Sequence, residues 1–204
     1  MYVILEFIFS ERSLNLGSII ALNWAGFSCK SSFFSLINSI TQGIYEYDGF
    51  HWGLVLFSAD GMSKNITPYK DLFIHYGILT TKVNSIIFEL FKHNFIYVFM
   101  ISSFVYSLSI FIMGLLLLRF TNILFSIIGL VIIFSLHPYA IFPWHTYYLF
   151  FLVNIFLIFR ISSNIYLNYF SYFVLSTAIL FSESFWLASI LILIFDIFFN
   201  HFYF

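Results

Sequence analysis

The side chains with most to offer chemically lie in one polar stretch, Ile44 to His93. It holds Glu46, Asp48, His51, Lys70, Asp71, His75 and Tyr76. Five of the nine acidic and four of the eight basic residues fall there, whereas only Arg119, Arg160, Glu183 and Asp196 carry charge in the 111 positions after His93. Chemistry must therefore sit in this stretch or converge on it. In Tyr45-Glu46-Tyr47-Asp48-Gly49-Phe50-His51-Trp52-Gly53, aromatic residues flank a carboxylate. A carboxylate walled by aromatics binds its proton more tightly and can serve as a general base. His51, three residues on, could help hold a phosphate or a metal. The plainer alternative makes Asp48 a solvated loop acid at the headgroup level.

A second cluster is Pro68-Tyr69-Lys70-Asp71 with His75-Tyr76-Gly77. If Asp71 starts a helical turn, His75 at i+4 shares its face. Lys70 and His75 would then neutralise a phosphate while Asp71 orients His75. The competing reading is that Asp71 caps a helix and Lys70 meets anionic lipid heads. Glu183 is an ionisable residue between two apolar runs, and acids in such places mark function or pairing unless they sit in an exposed turn. No tight His/Glu metal spacing, Gly-rich phosphate loop or nucleophile elbow occurs. No metal site is expected, although a divalent cation is compatible with this chemistry.

The elements that must carry these residues are helices in a membrane. Of the 204 residues, 62% are hydrophobic and 8% charged, with a mean hydropathy of +1.00. Soluble domains are roughly 45–50% apolar. A net charge of −1 excludes a nucleic-acid footprint. The lone Cys29 excludes an internal disulfide or a cysteine-based metal cluster. No basic start with a small-residue cleavage site marks a secretory signal.

The expected fold is all-α, a polytopic transmembrane helix bundle with amphipathic interfacial helices in its first large loop. Residues 1–43 hold a poorly defined first span, Leu14–Ile40. Residues 44–93 form the polar loop, placed outside the cytoplasm. Residues 94–204 hold five spans: Phe95–Leu118, Thr121–Leu136, Thr146–Phe159, Tyr169–Phe181 and Phe185–Phe199. His137–His145, with two prolines, and Ser162–Asn168 are loops. In the polar loop, Trp52, Val55, Leu56 and Ala59 predict a short helix that Asp60-Gly61 closes. Leu79, Val83, Ile86, Ile87 and Leu90 predict the apolar face of an interfacial helix over Leu79–Phe91, opposite Thr81, Lys82, Ser85, Glu89 and Lys92. Arg119 and Arg160 fall on one side of the membrane, and the polar stretch and Glu183 on the other. Lysine count alone would put the polar stretch in the cytoplasm.

The order of Tyr47-Asp48-Gly49-Phe50-His51-Trp52-Gly53, Pro68-Tyr69-Lys70-Asp71 and His75-Tyr76-Gly77-Ile78-Leu79-Thr80 resembles the GT-C superfamily of membrane glycosyltransferases. It is similar to the bacterial branch related to protein O-mannosyltransferases and lipid A aminoarabinose transferases. The ordered match runs over about residues 44–200, and Tyr76-Gly77 stands where that family has a Lys-Pro-Pro-like turn. The chain is expected to be a shortened relative. The resemblance implies inverting sugar transfer from a polyprenyl-phosphate sugar on the outer face of a bacterial inner membrane. Asp48 would be the base, and Glu46, His51, Lys70, Asp71, His75, Tyr76 and Glu183 would contact substrate. The implied partners are the lipid-linked donor, membrane lipid and further membrane subunits. Two other readings stay open: a non-catalytic membrane subunit, and a flippase for the same lipid-linked sugars.

Overall fold

The computed structural model describes residues 29–37, 40, 49–136, 145–182 and 185–201. Among them the chain is helical and forms no strand; Pro68 and Leu72 make one isolated bridge. After a helical segment at 29–37, the helices are α1 (Gly49–Ser63), α2 (Ile78–Leu90), α3 (Phe95–Phe120), α4 (Ile123–Leu136), α5 (His145–Arg160), α6 (Ile165–Phe181) and α7 (Trp186–His201). Asparagines start three of them. Asn94 accepts from the Ile96 amide at 3.1 Å, Asn122 from Phe125 at 3.1 Å and Asn164 from Tyr166 at 2.9 Å. Each carboxamide satisfies an amide that the first helical turn leaves open. The cap at Asn164 moves the start of α6 ahead of the expected Tyr169, so the Ser162–Asn168 loop is shorter than its residues suggest.

Helix α3, with 26 residues, is long and apolar enough to cross a membrane. Helices α4 to α7 are apolar but shorter, at 14, 16, 17 and 16 residues. Side-chain contacts fix their directions. Ser102, Tyr106 and Ser109 of α3 meet Tyr148, Tyr147 and Asn154 of α5, so these two run the same way. Tyr148 meets Phe181 while Phe159 meets Phe170, so α6 runs back. Phe156 packs in one cluster with Ile192, and Arg160 pairs with Asp196, so α7 follows α5. One end of the bundle thus carries Arg160 and Asp196. The other carries Tyr148 and Phe181. Ser32 of the 29–37 segment donates to the Ser107 carbonyl at 2.6 Å, docking that segment on α3.

Helix α2 bridges the Phe181 end of the bundle. Its start reaches the end of α6, where Thr80 donates to the Phe181 carbonyl at 2.9 Å. Its end packs on the start of α3, through Ile87 and Phe88 against Val98 and Phe99. Helix α1 joins the same cluster through Ala59 and Leu56.

Two expectations need correction. The buried residues of α2 are Thr80, Thr81, Asn84, Ser85, Ile87 and Phe88, while Ile86 and Leu90 are exposed. Thr81 and Ser85 had been expected on a solvent face. The reason is tertiary: α2 is contacted by α1, α3 and α6, so this face is covered; Thr81 finds a partner there, and Ser85 is buried without one among the described residues. Second, Gly61 does not close α1, which runs on to Ser63. A Cβ at Gly61 would lie 2.8 Å from Leu72 Cδ1, so this glycine admits the close approach of the following loop.

Candidate functional site

The polar stretch is built on α1, the connection 64–77 and α2. After α1 the chain turns sharply. Asn65 and Tyr69 adopt positive φ, the Asp71 amide donates to the Thr67 carbonyl at 3.0 Å, and the Tyr69 amide donates to Leu72 at 2.9 Å. From there burial alternates: Leu72 in, Phe73 out, Ile74 in, His75 out. That is the two-residue period of extended chain. The buried side chains and the Ser58 hydroxyl, 2.9 Å from the Phe73 carbonyl, hold the strip against α1.

This corrects the expected helical pairing of Asp71 with His75. Four extended residues span about 13 Å, so Asp71 cannot orient the imidazole. Both are exposed and act as separate groups. Lys70, Asp71 and His75 are all exposed. The His75 ring meets Tyr76 edge-on at 4.3 Å, with Phe73 at 5.8 Å on a tilt. Tyr76 is half-buried. Neither does Asp71 cap α2: Gly77 occupies that position, without a side-chain cap.

Gly77 anchors the site to the bundle. Its φ is +96° and ψ 141°, a conformation nearly confined to glycine. A Cβ there would sit 2.6 Å from the Phe181 carbonyl oxygen. The strip bearing Lys70 and His75 therefore ends against the last turn of α6. The next residue, Ser182, is buried and opens the connection to α7.

Beneath this junction lies a buried polar seam. Thr81 donates to the Gly77 carbonyl at 3.2 Å. The Tyr148 hydroxyl lies 3.0 Å from Ser102 Oγ and donates weakly, at 3.4 Å, to Asn84 Oδ1. Asn84 Nδ2 and Ser85 Oγ are fully buried and find no hydrogen-bond partner among the described residues. A buried polar atom left alone is costly, so water or a ligand group is the natural complement. The sequence signal for this seam was Asn84 and Ser85 on a helix next to aromatic-rich apolar runs. Nothing local pointed to Tyr148 or Ser102.

A second polar group joins the far ends of α1 and α2. Asp60 contacts Lys64 at 2.5 Å and His93 at 3.2 Å. The Lys64 hydrogen bond, aided by its charge and by His93 against partial desolvation, holds the Asp60 carboxyl below its usual value of 3.8.

Glu46, Asp48 and Glu183 lie outside the described residues, as does the side chain of His51. Among the described residues no three His, Cys, Asp or Glu side chains come together to hold a metal. What the arrangement offers is two exposed cationic or proton-bearing groups, Lys70 and His75, on a strip pinned to one end of an apolar bundle. Such groups suit an anionic oxygen presented at that end. No protein-family model, curated protein or solved structure matches this chain.

Proposed function

We propose that this chain is a polytopic integral membrane glycosyltransferase similar to the GT-C superfamily. It moves a sugar from a polyprenyl-phosphate donor to an acceptor hydroxyl on the outer face of a bacterial inner membrane. The observation that carries the reading is the course of residues 72–77. Leu72 lies at Gly61 and Phe73 at Ser58, so the strip runs back along α1 toward its start. At Gly77 the strip ends against the Phe181 carbonyl, on the last turn of α6. Two pieces distant in sequence, the strip that carries His75 and the end of α6, thereby meet at one end of the bundle.

The placement of side chains supports a bilayer. The buried positions of α3 and α6 mix small residues (Ser102, Ser103, Ser107, Ser109 and Gly114, then Ser171 and Ala178) with large ones such as Phe99, Tyr106, Leu115 and Leu175. Large apolar residues such as Phe104, Phe125, Phe173, Leu191 and Phe195 also cover the outside. Small residues at helix contacts and an apolar outer face suit helices packed in lipid. Ser107, Ser109, Ser176 and Thr177 return their hydroxyls to carbonyls four residues earlier, which spares them a partner in hydrocarbon.

In the reaction, Asp48 removes the acceptor hydroxyl proton as that oxygen attacks the anomeric carbon. The bond from that carbon to the phosphate oxygen breaks, configuration inverts, and the electron pair leaves with the lipid phosphate. His75, two residues from Gly77, stabilises the phosphate as its charge grows, and Lys70, at the other end of the strip, draws the anionic headgroup in from a distance. A flippase for the same donor is the second reading. It is favoured by the buried Asn84–Tyr148–Ser102 seam, whose open donors could follow a polar headgroup inward. A radiolabelled polyprenyl-phosphate sugar given to purified protein separates the two. Label transferred to an acceptor supports the enzyme, whereas label that crosses a liposome bilayer still on its lipid refutes it.

A further inference from the structure

At the end of the bundle remote from Gly77, Arg160 closes α5 and reaches across to α6 and α7. Its Nε donates to Asp196 Oδ1 at 2.7 Å, and its Nη1 donates to Asn168 Oδ1. Tyr172 donates its hydroxyl to Asp196 Oδ2, and its ring lies 5.6 Å from the guanidinium carbon. The guanidinium carries five N–H donors, and those on Nη2 take no part in these bonds. The Arg160 and Asp196 side chains remain 18% and 15% exposed, enough to meet a ligand from outside.

This pair heads a groove of about 430 Å³ between α5 and α7, lined otherwise by Phe156, Leu157, Leu191, Ile192 and Phe195. It is an open groove on the bundle surface rather than an enclosed cavity, a shape that suits a chain lying along the helices. The wall is apolar except at its Arg160–Asp196 head. Along α5, α6 and α7 these two are the only Asp, Glu, Lys or Arg residues, so the head is net neutral but strongly dipolar. An anionic headgroup would set a second negative charge beside Asp196. A zwitterion complements both charges.

We propose that this groove binds one phospholipid with a zwitterionic ethanolamine headgroup. Its phosphate accepts from Arg160 Nη2, its primary ammonium donates to Asp196, and one acyl chain follows Phe156, Leu191 and Phe195. Choline lipids lack the ammonium N–H and lose the Asp196 hydrogen bond. The proposal needs the helices to sit in a bilayer. It does not need sugar transfer.

The test is native mass spectrometry of full-length, delipidated protein in detergent. It is offered equal amounts of phosphatidylethanolamine, phosphatidylcholine and phosphatidylglycerol of one chain composition. The ethanolamine lipid should be retained about tenfold over each of the others, the factor that corresponds to ~1.4 kcal/mol. Leu191→Trp fills the groove without touching the ion pair, and should remove that preference while leaving the lipid-free melting temperature unchanged. Equal retention of ethanolamine and choline lipids, preference for the glycerol lipid, or an adduct that survives Leu191→Trp overturns the site. Protein that stays monodisperse without detergent overturns the bilayer and this site with it.

Discussion

Gly77→Ala should cost far more than an alanine elsewhere in the polar stretch. The backbone conformation at φ +96° disfavours any side chain, and strain of this kind is worth about 1–3 kcal/mol. The added Cβ would also stand 2.6 Å from the Phe181 carbonyl oxygen and 2.8 Å from its carbon. Those are backbone atoms of a helix and cannot swing aside, so α2 must move off α6. Moving it stretches the Thr80 bond to the same oxygen, now 2.9 Å. A hydrogen bond of that type contributes about 0.5–1.5 kcal/mol. Together the loss is ~1.5–4.5 kcal/mol. The control is Gly53→Ala, where a Cβ meets nothing within 4 Å inside α1. Alanine in a helix gains about 0.5–1 kcal/mol over glycine. Denaturation of detergent-solubilised protein, followed by tryptophan fluorescence, should shift in opposite directions for the two variants. Equal shifts, or a Gly77→Ala curve that overlays the wild type, would refute the account of the α2–α6 junction.

Three further outcomes follow from the same structure. Asp60 is held below its ordinary value, so its contribution to the α1–α2 corner is present above pH 3.8 and lost as pH falls through the depressed value. The protection factor of the His93 amide, its exchange relative to the intrinsic rate at each pH, should therefore fall on acidification in wild type and stay flat in Asp60→Asn. An identical response in both would exclude this carboxylate. Removing either Arg160 or Asp196 leaves a partly buried charge unpaired, at a cost of up to ~3–5 kcal/mol, and a paired apolar replacement should recover most of it; additive losses in the double-mutant cycle would contradict this. With the central stretch outward, Lys64→Cys should react with an impermeant thiol reagent in intact cells once Cys29 is replaced by Ser, and labelling only after the membrane is opened would reverse the orientation.

Much of the helical order is legible in the sequence, because apolar runs and capping residues are local signals. Phe95–Leu118 was expected and α3 spans Phe95–Phe120, with Asn94 as its cap. Long-range pairing left no such mark. Thr80 and Asn84 fall on neither the apolar nor the polar face expected for α2, and their partners are Phe181, 101 residues away, and Tyr148, 64 residues away. Gly61 reads as a helix stop, yet α1 runs past it and the Leu72 side chain packs closely over it. Asp71 and His75 have helical spacing, but the turn at Thr67–Leu72 feeds an extended strip whose alternate residues are buried on α1. The Arg160–Asp196 pair was invisible because the two residues stand alone in apolar runs on different helices.

Sugar transfer by wild type and by Asp48→Asn, measured side by side with a radiolabelled polyprenyl-phosphate sugar, tests the proposed function most directly. Asparagine keeps the shape and hydrogen bonding of the carboxylate but cannot take a proton. Loss of a general base costs about 10²–10⁴ in rate. Wild type should transfer label, and Asp48→Asn should lose turnover by that factor while still binding donor. Equal turnover by the two proteins would remove Asp48 from the mechanism, and no transfer by the wild type would contradict the glycosyltransferase reading itself.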